Sequence, residues 1–187
     1  MVNNRVLLAL ASTGVALMMS GCQSGGSCCV ANNSEAAVAK ADADRAQLSR
    51  LVGAWDLDGW WKGNGNDRNT VQGRAAGVLE NQYFVLMDVQ TTSGEMAGRT
   101  ARKSGSFLFA SEPGIGLTAS AWGDASPSIS RFVGTAQGNG IVFKPAHNAY
   151  PNAELVLTFE SDNRFTAEVV QGSDVHATYT FTRSAAK

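Results

Sequence analysis

The sequence predicts an all-β protein, an antiparallel up-and-down β-barrel of about ten strands preceded by a short helix. Three observations carry this. From Val52 onward, apolar and polar residues alternate with a period of two. Clusters of Gly, Asn, Asp and Ser break that alternation about every 8–12 residues, with no helical period between them. Finally, 20 glycines stand against only 4 prolines, which suits tight turns between short strands.

Composition bounds the rest. A chain of 187 residues holds one domain plus accessory segments. The formal net charge is -1 and no Lys/Arg block occurs, so nothing favours a nucleic-acid partner. The three cysteines, Cys22, Cys28 and Cys29, all precede the alternating region. The folded part can therefore hold neither a disulfide nor a thiolate zinc site.

Residues 1–21 read as an export signal. Arg5 supplies the positive start, and residues 6–19 are an apolar run too short for a comfortable membrane span. The run ends in Met19-Ser20-Gly21-Cys22, which resembles the lipobox of bacterial lipoproteins, with Met19 where Leu is usual. The resemblance implies that Cys22 becomes the acylated first residue of the mature protein, carrying chains such as palmitate. Several chains on one cysteine give a stable membrane anchor, at about 0.8 kcal/mol per buried CH₂. Gln23 stands where the family's inner-membrane retention signal has Asp, which implies an exported, lipid-anchored protein of the outer membrane.

Residues 22–45 form the tether. Its first part, 23–33, is Gly/Ser-rich and flexible in composition. Cys28 and Cys29 read there as thiols on a mobile segment, with further acylation or an intermolecular disulfide as alternatives. Residues 34–50 are Ala-rich and lack Gly and Pro, so their propensity is helical, with Ser34 as N-cap. The helix is expected to firm up near Ala46 and pack onto the domain, residues 46–187.

Strands are expected at 52–61, 70–79, 83–92, 101–110, 116–122, 130–136, 140–144, 154–160, 164–170 and 174–183. Alternation assigns side chains to faces. Gly53, Trp55, Leu57, Gly59 and Trp61 share one face, and Val175, Ala177, Tyr179, Phe181 and Arg183 share another. Trp61, Tyr83, Phe107, Phe109, Trp122, Tyr179 and Phe181 are the candidate ligand-lining residues. With Trp55, Phe132, Phe143, Phe159 and Phe165 they either line a cavity or fill it, since a barrel of this strand number does either. The outward Phe84 and Leu86 suggest that a helix or a partner covers that face.

The opening Gly53-x-Trp55 and the closing Arg183 resemble the lipocalin and fatty-acid-binding superfamily of calycins. In that superfamily a basic residue at the end of the last strand packs across the Trp of the first. The resemblance implies that Gly53, Trp55 and Arg183 close one end of the barrel, by a cation–π contact worth about 0.5–2 kcal/mol. The span 48–183 also resembles the bacterial DUF1579-type lipocalin-like domains, through Gly53-x-Trp55, Trp122-Gly123-Asp124, Gly134-Thr135 and the final aromatic-Thr-Arg.

Chemistry is sparse. No G-x-S-x-G elbow or clustered ligand spacing occurs, so no catalytic residue and no metal site is expected. His147 and His176 are the histidine candidates for haem or metal. Related haem-binding domains follow their Gly-x-Trp with Gly-x-Gly, whereas Asp56-Leu57-Asp58-Gly59 stands here. His147 falls in a loop at a barrel mouth. His176 shares parity with Thr178, Thr180 and Thr182 and points outward unless a bulge shifts the register. No cofactor is expected. The functional expectation is a non-enzymatic binding module for an apolar or amphipathic small molecule; the alternative is a structural lipoprotein with a filled barrel.

Overall fold

The computed structural model describes residues 34–185, apart from 64–66, 82, 97–98, 125 and 147–152. The lipobox with Cys22, the Cys28–Cys29 pair and His147 lie outside the described residues.

Helix α1, Glu35–Leu48, is regular from its first turn, well before Ala46. Its start is fixed chemically: the Ser34 side chain accepts from Ala37 N–H at 3.3 Å. Ala41, Asp44 and Leu48 form its buried stripe, spaced three and four apart. Lys40 donates to the buried Asp44 carboxylate at 2.6 Å, so that acid is not left unpaired. A 3₁₀ turn, Ser49–Leu51, then carries the chain into the barrel.

Ten strands follow: β1 Gly53–Lys62, β2 Arg68–Glu80, β3 Phe84–Met96, β4 Arg99–Glu112, β5 Gly116–Gly123, β6 Ser126–Gln137, β7 Gly140–Pro145, β8 Glu154–Ser161, β9 Arg164–Gln171 and β10 Asp174–Arg183. Each pairs antiparallel with its sequence neighbours, and β1 pairs with β10, so the sheet closes on itself as an up-and-down barrel. Closure removes every edge. Helix α1 packs on β4 and β5. Several strands run longer than the sequence alternation suggests, β6 most of all and then β2 to β4. Polar residues such as Arg68, Asn69, Ser93 and Glu112 continue the ladder there without signalling it by hydrophobicity.

This topology gives the barrel two unlike ends. One receives the 3₁₀ turn, the turns after β2, β4, β6 and β8, and the last residue of β10. The other carries the turns after β1, β3, β5, β7 and β9. Inward side chains at the first end are large: Trp55, Phe159, Phe165 and Phe181 are fully or almost fully buried, beneath Leu48 and Leu51. The Trp55 ring meets Phe165 edge-on at 4.9 Å, and Phe165 stacks on Phe181 at 4.4 Å. Such pairs add about 0.5–1.5 kcal/mol each beyond area burial. Several inward positions toward the second end are small, among them Gly105, Ala121, Ser130 and Ala167. The first end is a plug and the second a mouth.

Candidate functional site

The plug is tied at the point where the chain enters and leaves the barrel. Trp55 and Arg183 are register partners on β1 and β10. The Arg183 guanidinium lies over the Trp55 ring, 4.3 Å from its centroid. Its Nη1 donates to the Val52 carbonyl at 2.9 Å, and its Nε and Nη2 donate to the Asp162 carbonyl at 3.2 and 3.1 Å. The Trp55 indole N–H donates to the Leu51 carbonyl at 2.9 Å. Gly53 makes room: a Cβ built there would stand 2.1 Å from Arg183 Nη1, and its φ of +127° is one that side chains rarely adopt.

Above the plug lies a cavity of about 340 Å³, at the small end of the range for ligand pockets. Its deep walls are apolar: Leu57, Met87, Phe109, Leu157, Phe165 and Phe181. Toward the mouth come Lys103, Ser104, Ser130, Glu154 and Tyr179. The interior is hollow in its upper half because those inward positions carry little volume. Gly105 shows this directly, since a Cβ there would approach only the Trp122 carbonyl, at 3.4 Å.

The mouth is pinned by Trp122-Gly123-Asp124. The Asp124 carboxylate accepts from the Ser104 N–H at 2.9 Å and the Ser104 hydroxyl at 2.7 Å, while Asp124 N–H returns a bond to the Ser104 carbonyl at 3.0 Å. The Ser104 hydroxyl and N–H hold the Asp124 carboxyl below the ordinary carboxylate range. Burial alone pushes the Tyr179 phenol upward. Its hydroxyl stays protonated at neutral pH and has no hydrogen-bond partner among the described residues.

The fold is lipocalin-like. At 12% identity, the chain superposes on the crystal structure of Rv2717c from M. tuberculosis with a TM-score of 0.55, covering 76% of this chain and 98% of that one. It also matches the S-type phycobiliprotein lyase CPES from Guillardia theta, at TM-score 0.52 and 10% identity, over 79% of this chain and 98% of that one. Identities this low speak for the fold alone. No family model matches the chain, and no curated protein matches it in sequence.

In this lipocalin-like barrel, Phe107, Phe109, Tyr179 and Phe181 line the cavity, the first two as parallel rings 5.8 Å apart. Trp61 faces the same end but is not among the walls; it packs half-buried on the core beneath the Lys103 ammonium, 5.4 Å away. Trp61 and Tyr83 are the lining expectations that need correction. Tyr83 is 54% exposed and is no lining residue. It sits in the turn before β3, beyond the last ladder pair Glu80–Phe84, so strand parity does not reach it. Its ring instead receives Arg45 of α1 at 5.3 Å. Trp122 does line the cavity, at its rim and 39% exposed, where the pairing with β6 is bulged between Ala121 and Gly123.

A bulge also falls at His176, between Val175 and Ala177 on the β9 side. The histidine is half-buried, has no register partner on β9 and is absent from the cavity walls. The alternation argument for its direction therefore does not hold across this step. Among the described residues no group of three His, Cys, Asp or Glu side chains comes together. Sequence reasoning passed over Lys103 and Gly105, although both share parity with Phe107 and Phe109 on β4.

Proposed function

We propose that this protein is a binding module whose barrel holds an apolar or amphipathic small molecule, borne on a lipoprotein anchored through Cys22 to the outer membrane. The cavity carries the reading. It is walled by Leu, Met and Phe side chains, stopped by the aromatic plug at one end and reached through a mouth bearing a few polar groups. Filling such a space with an apolar body removes both surfaces from water, at roughly 25 cal/mol per Å². A filled barrel, the competing reading, has no use for an inward Gly105 whose Cβ position would meet nothing but the Trp122 carbonyl, at 3.4 Å.

Uptake of N-phenyl-1-naphthylamine, whose fluorescence rises in apolar surroundings, tests this on the full chain carrying Cys22→Ser. Saturable binding lost in Gly105→Leu is expected, because that side chain would project into the cavity. Binding equal in both proteins would place the probe elsewhere and sink the reading. The anchor is tested separately. Labelled palmitate is expected to enter the wild-type protein and not Cys22→Ser, with the labelled form in the outer-membrane fraction.

A further inference from the structure

We propose that the ligand carries an anionic head beside its apolar body, and that Lys103 receives that head at the mouth. This deepens the binding-module reading and rests on it. The argument starts from which cavity groups are already spent. Glu154 faces Lys144 at 3.6 Å, and Ser104 is bound to Asp124. Ser130 has a partner of its own. Thr91 reaches back to the Lys103 carbonyl at 3.5 Å. Three groups in the walls remain without a polar side-chain partner among the described residues: the Lys103 ammonium, the Tyr179 hydroxyl and, at the rim, the Trp122 indole N–H. All three are hydrogen-bond donors, and Lys103 alone among them is a cation.

The position of Lys103 is as telling as its charge. It belongs to β4 and Trp61 to β1, with β2 and β3 between them in the barrel wall. Yet Lys103 Nζ lies 5.4 Å from the Trp61 ring centroid. The side chain therefore leans across the opening, and an aromatic face, not a carboxylate, holds it there. A cation parked on a ring keeps its three N–H donors for an incoming anion. A neutral ligand would leave that cation unused, and a cationic one would meet it head-on. The walls below offer no polar group to a buried charge, so the head must stay at the rim while the body descends onto Met87, Phe109 and Phe181.

Two probes separate this from the parent reading. 1-Anilinonaphthalene-8-sulfonate and N-phenyl-1-naphthylamine share one arylamine framework and differ in the sulfonate. Both are titrated into the full chain with Cys22→Ser, and into the same chain with Lys103→Met, Lys103→Arg or Gly105→Leu. The expected result is a ratio of affinities, sulfonate over neutral, that falls about fivefold in Lys103→Met and is kept in Lys103→Arg. An unchanged ratio in Lys103→Met, with both probes still lost in Gly105→Leu, overturns the anionic head and leaves the cavity standing. Probes that ignore Gly105→Leu overturn the cavity itself, and this proposal with it.

Discussion

Gly53 and Arg183 are coupled, and the structure sets the size of the coupling. Arg183→Ala removes a cation–π contact with Trp55, worth about 1 kcal/mol at a half-buried site. It also removes the guanidinium bonds to the Val52 and Asp162 carbonyls, of which the Val52 bond is the better shielded and contributes about 1–2 kcal/mol. The expected loss is about 3 kcal/mol. Gly53→Ala carries two costs. A side chain at φ +127° strains the backbone by about 1–2 kcal/mol, and its Cβ displaces the guanidinium from its seat 2.1 Å away, forfeiting most of the same 3 kcal/mol. Each single variant thus loses about 3–4 kcal/mol. In the double variant the guanidinium is lost only once, so the total is expected at about 4–5 kcal/mol where additivity demands about 7. Urea unfolding followed by far-ultraviolet circular dichroism supplies all four corners of the cycle. Additivity within about 0.5 kcal/mol would refute the claim that Gly53 exists to seat Arg183.

Other consequences follow from the same geometry. Phe165→Ala, which removes the ring touching Trp55, Phe159 and Phe181, is expected to cost about 3–5 kcal/mol in urea midpoint stability and to enlarge the cavity from below. Tyr179, its phenol raised by burial, is expected to give a late component when absorbance at 295 nm is followed to alkaline pH, and Tyr179→Phe deletes that component. A raised folded-state value stabilises the fold below the ordinary tyrosine range and loses that contribution as pH climbs through the folded value. Asp124 has the opposite sign: its lowered value stabilises above the ordinary carboxylate range and fades as pH falls through the folded value. Asp124→Asn is therefore expected to flatten the acid limb of the stability–pH curve, by a small amount because the group is fully exposed.

The barrel was legible in the sequence because its evidence is local. Period-two alternation and turn residues need no knowledge of what lies across the sheet, and they place all ten strands. Strand ends were less legible, since polar residues such as Ser93 and Glu112 continue a ladder without marking it. Parity carried Phe107, Phe109, Tyr179 and Phe181 to the inner face, but it failed wherever register breaks. Tyr83 lies in a turn, and His176 sits at a bulge, where one extra residue reverses or suspends the alternation. Whether the barrel is hollow depends on how inward side chains of non-adjacent strands meet. No stretch of sequence encodes that on its own. The small residues Gly105, Ala121 and Ala167, from three different strands, had to be brought around the same interior before they amounted to a cavity.

The most direct test of that cavity as a binding site is native mass spectrometry of the Cys22→Ser chain, purified without detergent from cells of a bacterial host. We expect a fraction of the protein to carry a small anionic amphiphile that is absent from Gly105→Leu. Only the bare chain mass for both proteins, with neither naphthylamine probe taken up on addition, would contradict the account.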